Sequence, residues 1–160
     1  MPEVSASVAN ELLELDNQIC FALHSTARQL VRAYRPALEE LELTHPQYLV
    51  MLVLWGWARD REPRPTVKAL GERLMLDSGT LTPLLKRLQS RGLITRTRSS
   101  SDERELLVHL TRAGQALKKR AVRVPLTLLR HSRMPLGELV ELREGLKRLR
   151  AVLQPAQCCD

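Results

Sequence analysis

Residues 76–111, LDSGTLTPLLKRLQSRGLITRTRSSSDERELLVHLT, carry the pattern that most restricts the fold of this chain. Asp77 and Ser78 suit the start of a helix, because their side-chain oxygens can accept the first free backbone N–H groups. Leucines then recur at helical spacing and predict one apolar face: Leu81, Leu84, Leu85 and Leu88. Gly92 favours the end of the helix. The stretch therefore begins with a short amphipathic helix.

Two alternating segments, 93–97 and 106–110, follow this helix and predict an antiparallel pair of strands. The polar segment 98–104 between them is too charged to be core and predicts an exposed hairpin tip. Upstream, residues 66–76 predict another short helix, which ends one turn before Asp77. An amphipathic helix beside a solvated hairpin is the simpler interpretation, but the upstream helix favours a winged helix-turn-helix. In that fold the second helix enters the major groove, and the hairpin, or wing, reaches along the DNA backbone.

The polar face of the second helix is the candidate DNA-reading surface. Its side chains are Ser78, Thr80, Thr82, Lys86 and Arg87. The basic residues expected on phosphates are Lys86, Arg87, Arg91, Arg96 and Arg98. A net charge of +7 and a pI of about 9.9 agree with an anionic partner. Aromatic residues make up only 3%, which argues against a single-strand or RNA-binding module that stacks bases.

Length and composition predict one domain, or one closely integrated unit, of 160 residues. No run of 18 apolar residues is present, so no membrane span is expected. The N-terminus lacks the pattern of a secretory signal, and we expect a cytoplasmic protein. Three cysteines are an odd number and argue for a free thiol rather than a disulfide framework.

The segments before the predicted DNA-binding region are helical in pattern. A helix is expected from about Glu11 to Tyr34, with Pro36 breaking it and a short second helix at 36–41. Residues 44–47, THPQ, form a capping-box pattern. The helix that they open, 48–57, is apolar nearly all round and should lie in the core, with Trp55 and Trp57 as packing residues. The proline-rich segment 59–65 predicts an exposed loop.

After the wing, Thr111 can cap a long helix through Arg133, interrupted near Pro125, and Pro135 opens the last helix. That helix has leucines in 3-4-3-4 spacing, at Leu139, Leu142, Leu146, Leu149 and Leu153. The spacing predicts a coiled-coil seam and favours a homodimer over packing within one chain.

The expected fold is mainly α with a small β-wing. It comprises a helical dimerisation region at 10–45 and 112–154, a winged helix-turn-helix at 46–111, and flexible tails at 1–9 and 155–160.

Cys20 is the cysteine within a predicted helix. A free cysteine often acts as an inert buried hydrophobe, but polar donors nearby could stabilise its thiolate. Candidates for such donors are Tyr34, His24 and His45. Tyr34 follows Cys20 by 14 residues, which is about 21 Å along one helix. The two could meet only across antiparallel helices of two subunits.

The motifs LDNQICFALHSTARQLVRAYRPALEEL, LTHPQYLVMLVLW, the segment 70–111 and AGQALKKRAVRVP resemble the organic hydroperoxide resistance regulators of the MarR family, from about residue 13 to 153. The resemblance implies a homodimeric winged-helix repressor that binds duplex operator DNA when reduced. It implies no cofactor and no enzymatic activity. An organic hydroperoxide would oxidise the sensing thiol to sulfenic acid, and disulfide formation or overoxidation would then release the DNA.

Matched motif by motif, the resemblance makes Cys20 the sensing thiol, in DNQ-x-C-F, and Tyr34 its hydrogen-bonding partner from the other subunit. His45 and His24 stand where the family usually has tyrosines, so thiol activation would depend more on pH. Arg104 would enter the minor groove from the wing tip, with Asp102 and Arg96 bracing it. The usual resolving cysteine after the wing is absent, as that region reads LLRHSRM. Cys158 and Cys159 are candidates for that role, as is a small cellular thiol; the two cysteines could also be incidental.

Two other functions remain open from the sequence. A MarR-type sensor of a small phenolic or lipophilic ligand would share the DNA-binding half, with Cys20 inert. A thiol peroxidase would use Cys20 catalytically, although the sequence has no thioredoxin-like βαβ pattern. No metal-spacing cluster, P-loop or Ser/His/Asp arrangement is recognisable.

Overall fold

The computed structural model describes residues 11–61, 65–100, 102 and 104–153. A 3₁₀ turn at Leu15–Asn17 precedes the elements α1 (Ile19–Glu39), α2 (His45–Asp60), α3 (Val67–Leu74), α4 (Ser78–Ser90), β1 (Ile94–Arg98), β2 (Leu106–Leu110), α5 (Arg112–Ala121), α6 (Arg123–Ser132) and α7 (Leu136–Leu153). This confirms the expected fold class, mainly α with a small β-wing. The tails expected at 1–9 and 155–160 lie outside the described residues.

The predicted helix-turn-helix and wing are confirmed in α3, α4 and the two strands. Thr66 caps α3 by accepting a hydrogen bond from Ala69 N at 3.0 Å. Gly92, with φ of +67°, ends α4 in the left-handed conformation that glycine tolerates best. The strands pair antiparallel with Ile94 opposite Leu110, and Thr66 bridges to Leu107. The residue before α3 is thereby tied to the wing.

The hydrophobic core lies where α2, α4 and the wing meet. The leucines predicted for the inner face of α4 are buried at Leu81, Leu85 and Leu88, and Leu84 packs at the edge of the core. Trp55 is buried as predicted, and its Nε1 donates to the carbonyl of Gly114 at 2.9 Å. Helix α2 is not buried all round, however, because Leu49 and Leu52 are exposed. One chain covers only one side of this helix.

Helix α1 differs from the expectation at both ends. Residues 11–13 are helical, but the continuous helix starts at Ile19. The Asn17 side chain donates to Glu11 O at 2.9 Å and favours a turn between the two segments. Helix α1 also continues through Pro36, so no separate second helix forms. Leu38 and Leu41, just beyond the proline, are buried and hold this end of the chain against the core despite the lost backbone hydrogen bond.

The capping box at Thr44 is confirmed. Thr44 N donates to Gln47 Oε1 at 2.9 Å, and Thr44 Oγ1 accepts from Gln47 N. Helix α2 extends to Asp60, so the first residues of the predicted 59–65 loop are helical, and Pro65 at its end is buried.

The long helix after the wing is interrupted near Pro125, as predicted, and the break lies three residues before it, at Val122. Thr111 caps α5 as predicted, accepting from Gly114 N at 3.0 Å. Pro125 is the third residue of α6, where a backbone N–H has no partner within the helix, so a proline costs little there. Helix α7 contains no buried residue. None of the helices among the described residues is both long and apolar enough to cross a membrane.

Candidate functional site

We call α4 the recognition helix. Asp77 caps its N-terminal end. Its Oδ1 accepts from Thr80 N and its Oδ2 from Thr80 Oγ1, both at 2.8 Å. The backbone N–H of Thr80 and then its hydroxyl lower the pKa of the Asp77 carboxyl. Because the Thr80 hydroxyl donates its hydrogen bond to Asp77, it can act only as an acceptor towards a ligand. The predicted reading face is open to solvent at Ser78, Lys86 and Arg87.

The wing is held against the recognition helix by a contact that the sequence did not indicate. Arg96 Nε donates to Gln89 Oε1 at 2.6 Å, which joins β1 to the last turn of α4. Asp102, expected to brace Arg104, accepts from its backbone N–H at 2.9 Å. Arg96 thus braces the base of the wing through Gln89, and Asp102 shapes the backbone at its tip.

The wing tip and the start of the recognition helix open onto one groove of about 660 Å³. Its polar lining includes Lys68, Glu72, Ser78, Asp102, Arg104 and Glu105. Lys68, on α3, is exposed and was missed from the sequence, because its position beside the wing depends on how α3 packs against β2. Ser78 at the start of the recognition helix and Arg104 at the wing tip, both predicted to contact DNA, therefore line the same groove.

Cys20 and Tyr34 lie near opposite ends of the continuous helix α1. Cys20 is its second residue and is exposed, with Sγ 4.0 Å from Gln18 Oε1. His24, one helical turn later, is also exposed. Because α1 is unbroken, about 21 Å of helix separates Cys20 from Tyr34. Within one chain, the structure does not bring the expected thiol and phenol together.

Tyr34 instead lies beside His45, at the junction of α1 and α2. Their ring centroids are 6.3 Å apart with the planes tilted by 36°. Burial raises the pKa of Tyr34 and lowers that of His45. Burial also raises the pKa of the neighbouring Tyr48 to about 12, with a further contribution from the charge of Tyr34. At neutral pH this site therefore offers a phenol O–H as a hydrogen-bond donor next to an uncharged imidazole. Cys158 and Cys159 lie outside the described residues.

A capped recognition helix with an exposed polar and basic face, a helix packed before it and a basic wing on the same side define a winged helix-turn-helix DNA-binding protein.

Comparisons with known proteins identify the family. Residues 32–121 match the family model of the transcriptional regulator SarA/Rot. The organic hydroperoxide resistance transcriptional regulator of Bacillus subtilis (strain 168) is 46% identical over 134 residues, covering 84% of this chain and 88% of the relative.

Two solved structures of AbfR, a protein of Staphylococcus epidermidis, have the same fold. Reduced AbfR bound to DNA is 33% identical, with a TM-score of 0.70 over 91% of this chain and 98% of that one. Overoxidized AbfR bound to DNA is 32% identical, with a TM-score of 0.69 over 91% and 99%. The chain belongs to the organic hydroperoxide resistance regulators of the MarR family and is a DNA-binding transcriptional repressor.

Proposed function

We propose that this repressor senses organic hydroperoxides through Cys20 and binds duplex operator DNA as a reduced homodimer. The observation that carries the proposal is the placement of Cys20, an exposed thiol on α1 that a single chain leaves far from the phenol of Tyr34. Two antiparallel α1 helices from two copies would bring each thiol to the Tyr34–His45 pair of the other copy. A hydrogen-bond donor there would favour the thiolate, which is the form that reacts with a peroxide.

Exposed apolar surface supports the homodimer. Large hydrophobic side chains are exposed near both ends of the described chain, at Leu12, Leu13, Leu15, Ile19, Phe21, Leu136, Val140, Leu142, Leu146, Val152 and Leu153. Three leucines of the α7 seam, Leu142, Leu146 and Leu153, are exposed, and none of the seam is fully buried, so packing within the chain does not account for it. A second copy bringing the same seam would cover it as a coiled coil does. The dimer thereby places two recognition helices for successive major grooves, about 34 Å apart.

On the DNA, the basic side chains of the recognition helix and wing hold phosphates, and the small hydroxyls approach base edges. Lys86, Arg87 and Arg98 are exposed and suited to phosphate contacts, whereas Ser78 and Thr82 are the candidates for base contacts. Arg104 at the wing tip is exposed and reaches the minor groove in the proposed complex.

The sensing step is a two-electron oxidation of sulfur. The Cys20 thiolate attacks one peroxide oxygen, the O–O bond breaks, and the other oxygen leaves as an alcohol after taking a proton. The sulfur keeps the transferred oxygen as a sulfenic acid. A second thiol then attacks that sulfur, forming a disulfide and releasing water. Cys158, Cys159 and a small cellular thiol are the candidates for the second thiol.

The disulfide-bonded protein is the form that releases the operator DNA. AbfR is described as bound to DNA in its overoxidized form, so added oxygen atoms alone do not exclude DNA from that relative. A disulfide adds a whole residue or small molecule at the subunit interface, which has to open to accommodate it. A movement of a few ångströms would then spoil the fit of two recognition helices to successive grooves.

The test compares wild-type protein with Cys20→Ser on a duplex selected by the wild-type protein from random sequences. Both reduced proteins should bind it. One equivalent of cumene hydroperoxide with glutathione should release only the wild type. Release of Cys20→Ser at the same dose would contradict the sensing role, and release of that variant by a phenolic ligand without peroxide would favour the ligand-sensing alternative.

A control variant with Cys158→Ser and Cys159→Ser identifies the second thiol. Without added glutathione, loss of DNA release in this variant but not in the wild type assigns that role to the tail cysteines. Mass analysis of the oxidised wild type shows which sulfurs are linked. Steady turnover of peroxide with excess thiol would instead favour a thiol peroxidase.

A further inference from the structure

The turn between α1 and α2 contains a glutamate where a helix end usually has glycine. Leu43 N donates to Leu38 O at 2.9 Å and Glu42 N to Glu39 O at 2.9 Å, which is the hydrogen-bond pattern of a Schellman motif. Glu42 occupies its left-handed position, with φ of 54°. A residue with a Cβ is disfavoured in this conformation, so contacts that hold the turn offset a cost that glycine would not have.

Arg91 supplies those contacts from the end of the recognition helix. Its Nη2 lies 2.9 Å from Glu42 Oε2 and donates to Leu41 O at 3.2 Å, and its Nη1 donates to Glu42 O. One guanidinium thus binds a carboxylate and two carbonyls that the end of α1 leaves without helical partners. We call this set of contacts the Arg91 clamp. The Arg91 side chain is 29% exposed, whereas that of Glu42 is 79% exposed. The carboxylate contact is therefore open to solvent screening, and the bonds of the half-covered guanidinium to the backbone carbonyls are the better shielded part of the clamp.

The clamp joins two parts of the molecule that are distant in sequence. Arg91 immediately follows the recognition helix, and Glu42 lies 49 residues before it. The same end of α1 is held from another side, because Arg120 donates to Glu40 O at 2.5 Å and Arg123 lies 3.4 Å from the Glu40 carboxylate. The end of α1 is therefore a fixed support to which the C-terminal end of the recognition helix is attached.

We propose that Arg91 is a positioning residue for DNA reading, one that sets the orientation of the recognition helix rather than binding a phosphate. This role differs from the phosphate contact expected from the sequence, because the guanidinium is engaged within the protein. Groove recognition requires the recognition helix to be held at one angle, whereas non-specific attraction to phosphates tolerates changes in that angle. Arg91 would have this role in the reduced protein, whether or not Cys20 senses peroxide.

The test uses two variants that change the net charge in opposite directions. Arg91→Gln lowers the net charge by one, and Glu42→Lys raises it by two while placing like charges together. Affinity is measured for the selected duplex and for a scrambled duplex of the same composition, with reductant, at several salt concentrations. Both variants should lower the ratio of selected to scrambled affinity by about tenfold, which corresponds to roughly 1.4 kcal/mol. Arg59→Gln, which disrupts an exposed pair with Asp60, is the control and should keep the ratio.

The ratio of selected to scrambled affinity distinguishes a positioning role of Arg91 from a folding role and from a phosphate contact. Incomplete folding lowers the active fraction equally for both duplexes and leaves the ratio unchanged. A phosphate contact by Arg91 would make Arg91→Gln weaken both duplexes alike and lower the salt slope by about one unit. Either an unchanged ratio in both variants or that loss of slope would overturn the proposal.

Discussion

Gly114, in the first turn of α5, packs directly against the backbone of Leu93, just beyond the recognition helix. A Cβ at this position would be 2.1 Å from Leu93 O and 3.1 Å from Leu110 Cδ2. Real Cβ contacts are essentially never shorter than 3.0 Å, so Gly114→Ala requires the backbone to move apart by 0.9 Å. The obstacle is a backbone carbonyl, which cannot rotate away as a flexible side chain could.

The hydrogen bonds around Gly114 set the magnitude of the effect. Its carbonyl accepts from Trp55 Nε1 at 2.9 Å, and its N–H donates to Thr111 Oγ1 at 3.0 Å. A 0.9 Å shift would stretch the buried indole bond beyond hydrogen-bonding distance, which costs about 1 kcal/mol. Overpacking adds about 1–3 kcal/mol, and the higher helix propensity of alanine offsets at most about 1 kcal/mol. The expected loss of unfolding free energy is about 2 kcal/mol.

Urea unfolding followed by circular dichroism measures this loss, with wild type and variants at equal protein concentration because dimerisation affects apparent stability. Gly56→Ala is the matched control: it is the same change inside α2, with nothing within 4 Å of the added Cβ. It should be neutral or stabilising by up to about 1 kcal/mol. A Gly114→Ala protein as stable as the wild type would refute the close approach of α5 to Leu93.

Three further substitutions test the DNA contact, the subunit contact and the Tyr34–His45 site. Arg104→Ala should weaken binding to the selected duplex by about 1–3 kcal/mol, and unchanged affinity at several salt concentrations would remove Arg104 from the DNA contact. Leu146→Asp places a charge in the middle of the α7 seam and should shift the protein towards monomer in sedimentation experiments; a wild type that is already monomeric would contradict the seam. Burial lowers the folded-state pKa of His45 from 6.5, so the unfolded chain binds its proton more tightly and stability should fall as pH drops below about 6.5. His45→Gln should reduce this fall between pH 7.5 and 5.5, and equal slopes for both proteins would exclude the effect.

The local pattern of residues was enough to predict the elements that form the DNA-binding region. Asp77, Thr66 and Thr111 cap helices because each oxygen needs to reach only a backbone N–H three residues ahead. Gly92 ends α4 because its own φ is positive. Motif similarity predicted the family, which the relatives confirm. The roles of Cys20 and Tyr34 stay predictions, because they concern contacts between two chains.

Tertiary packing decided what these short-range signals could not. A proline normally disrupts a helix, yet α1 continues through Pro36 beside the buried Leu38. Arg96 and Arg91 are both basic residues near the recognition helix, but one binds Gln89 and the other the turn at Glu42. A capping oxygen and its N–H are neighbours in sequence, so sequence alone shows that they meet. The partner of a long arginine side chain depends on which distant segment folds against it, and only the assembled core determines that.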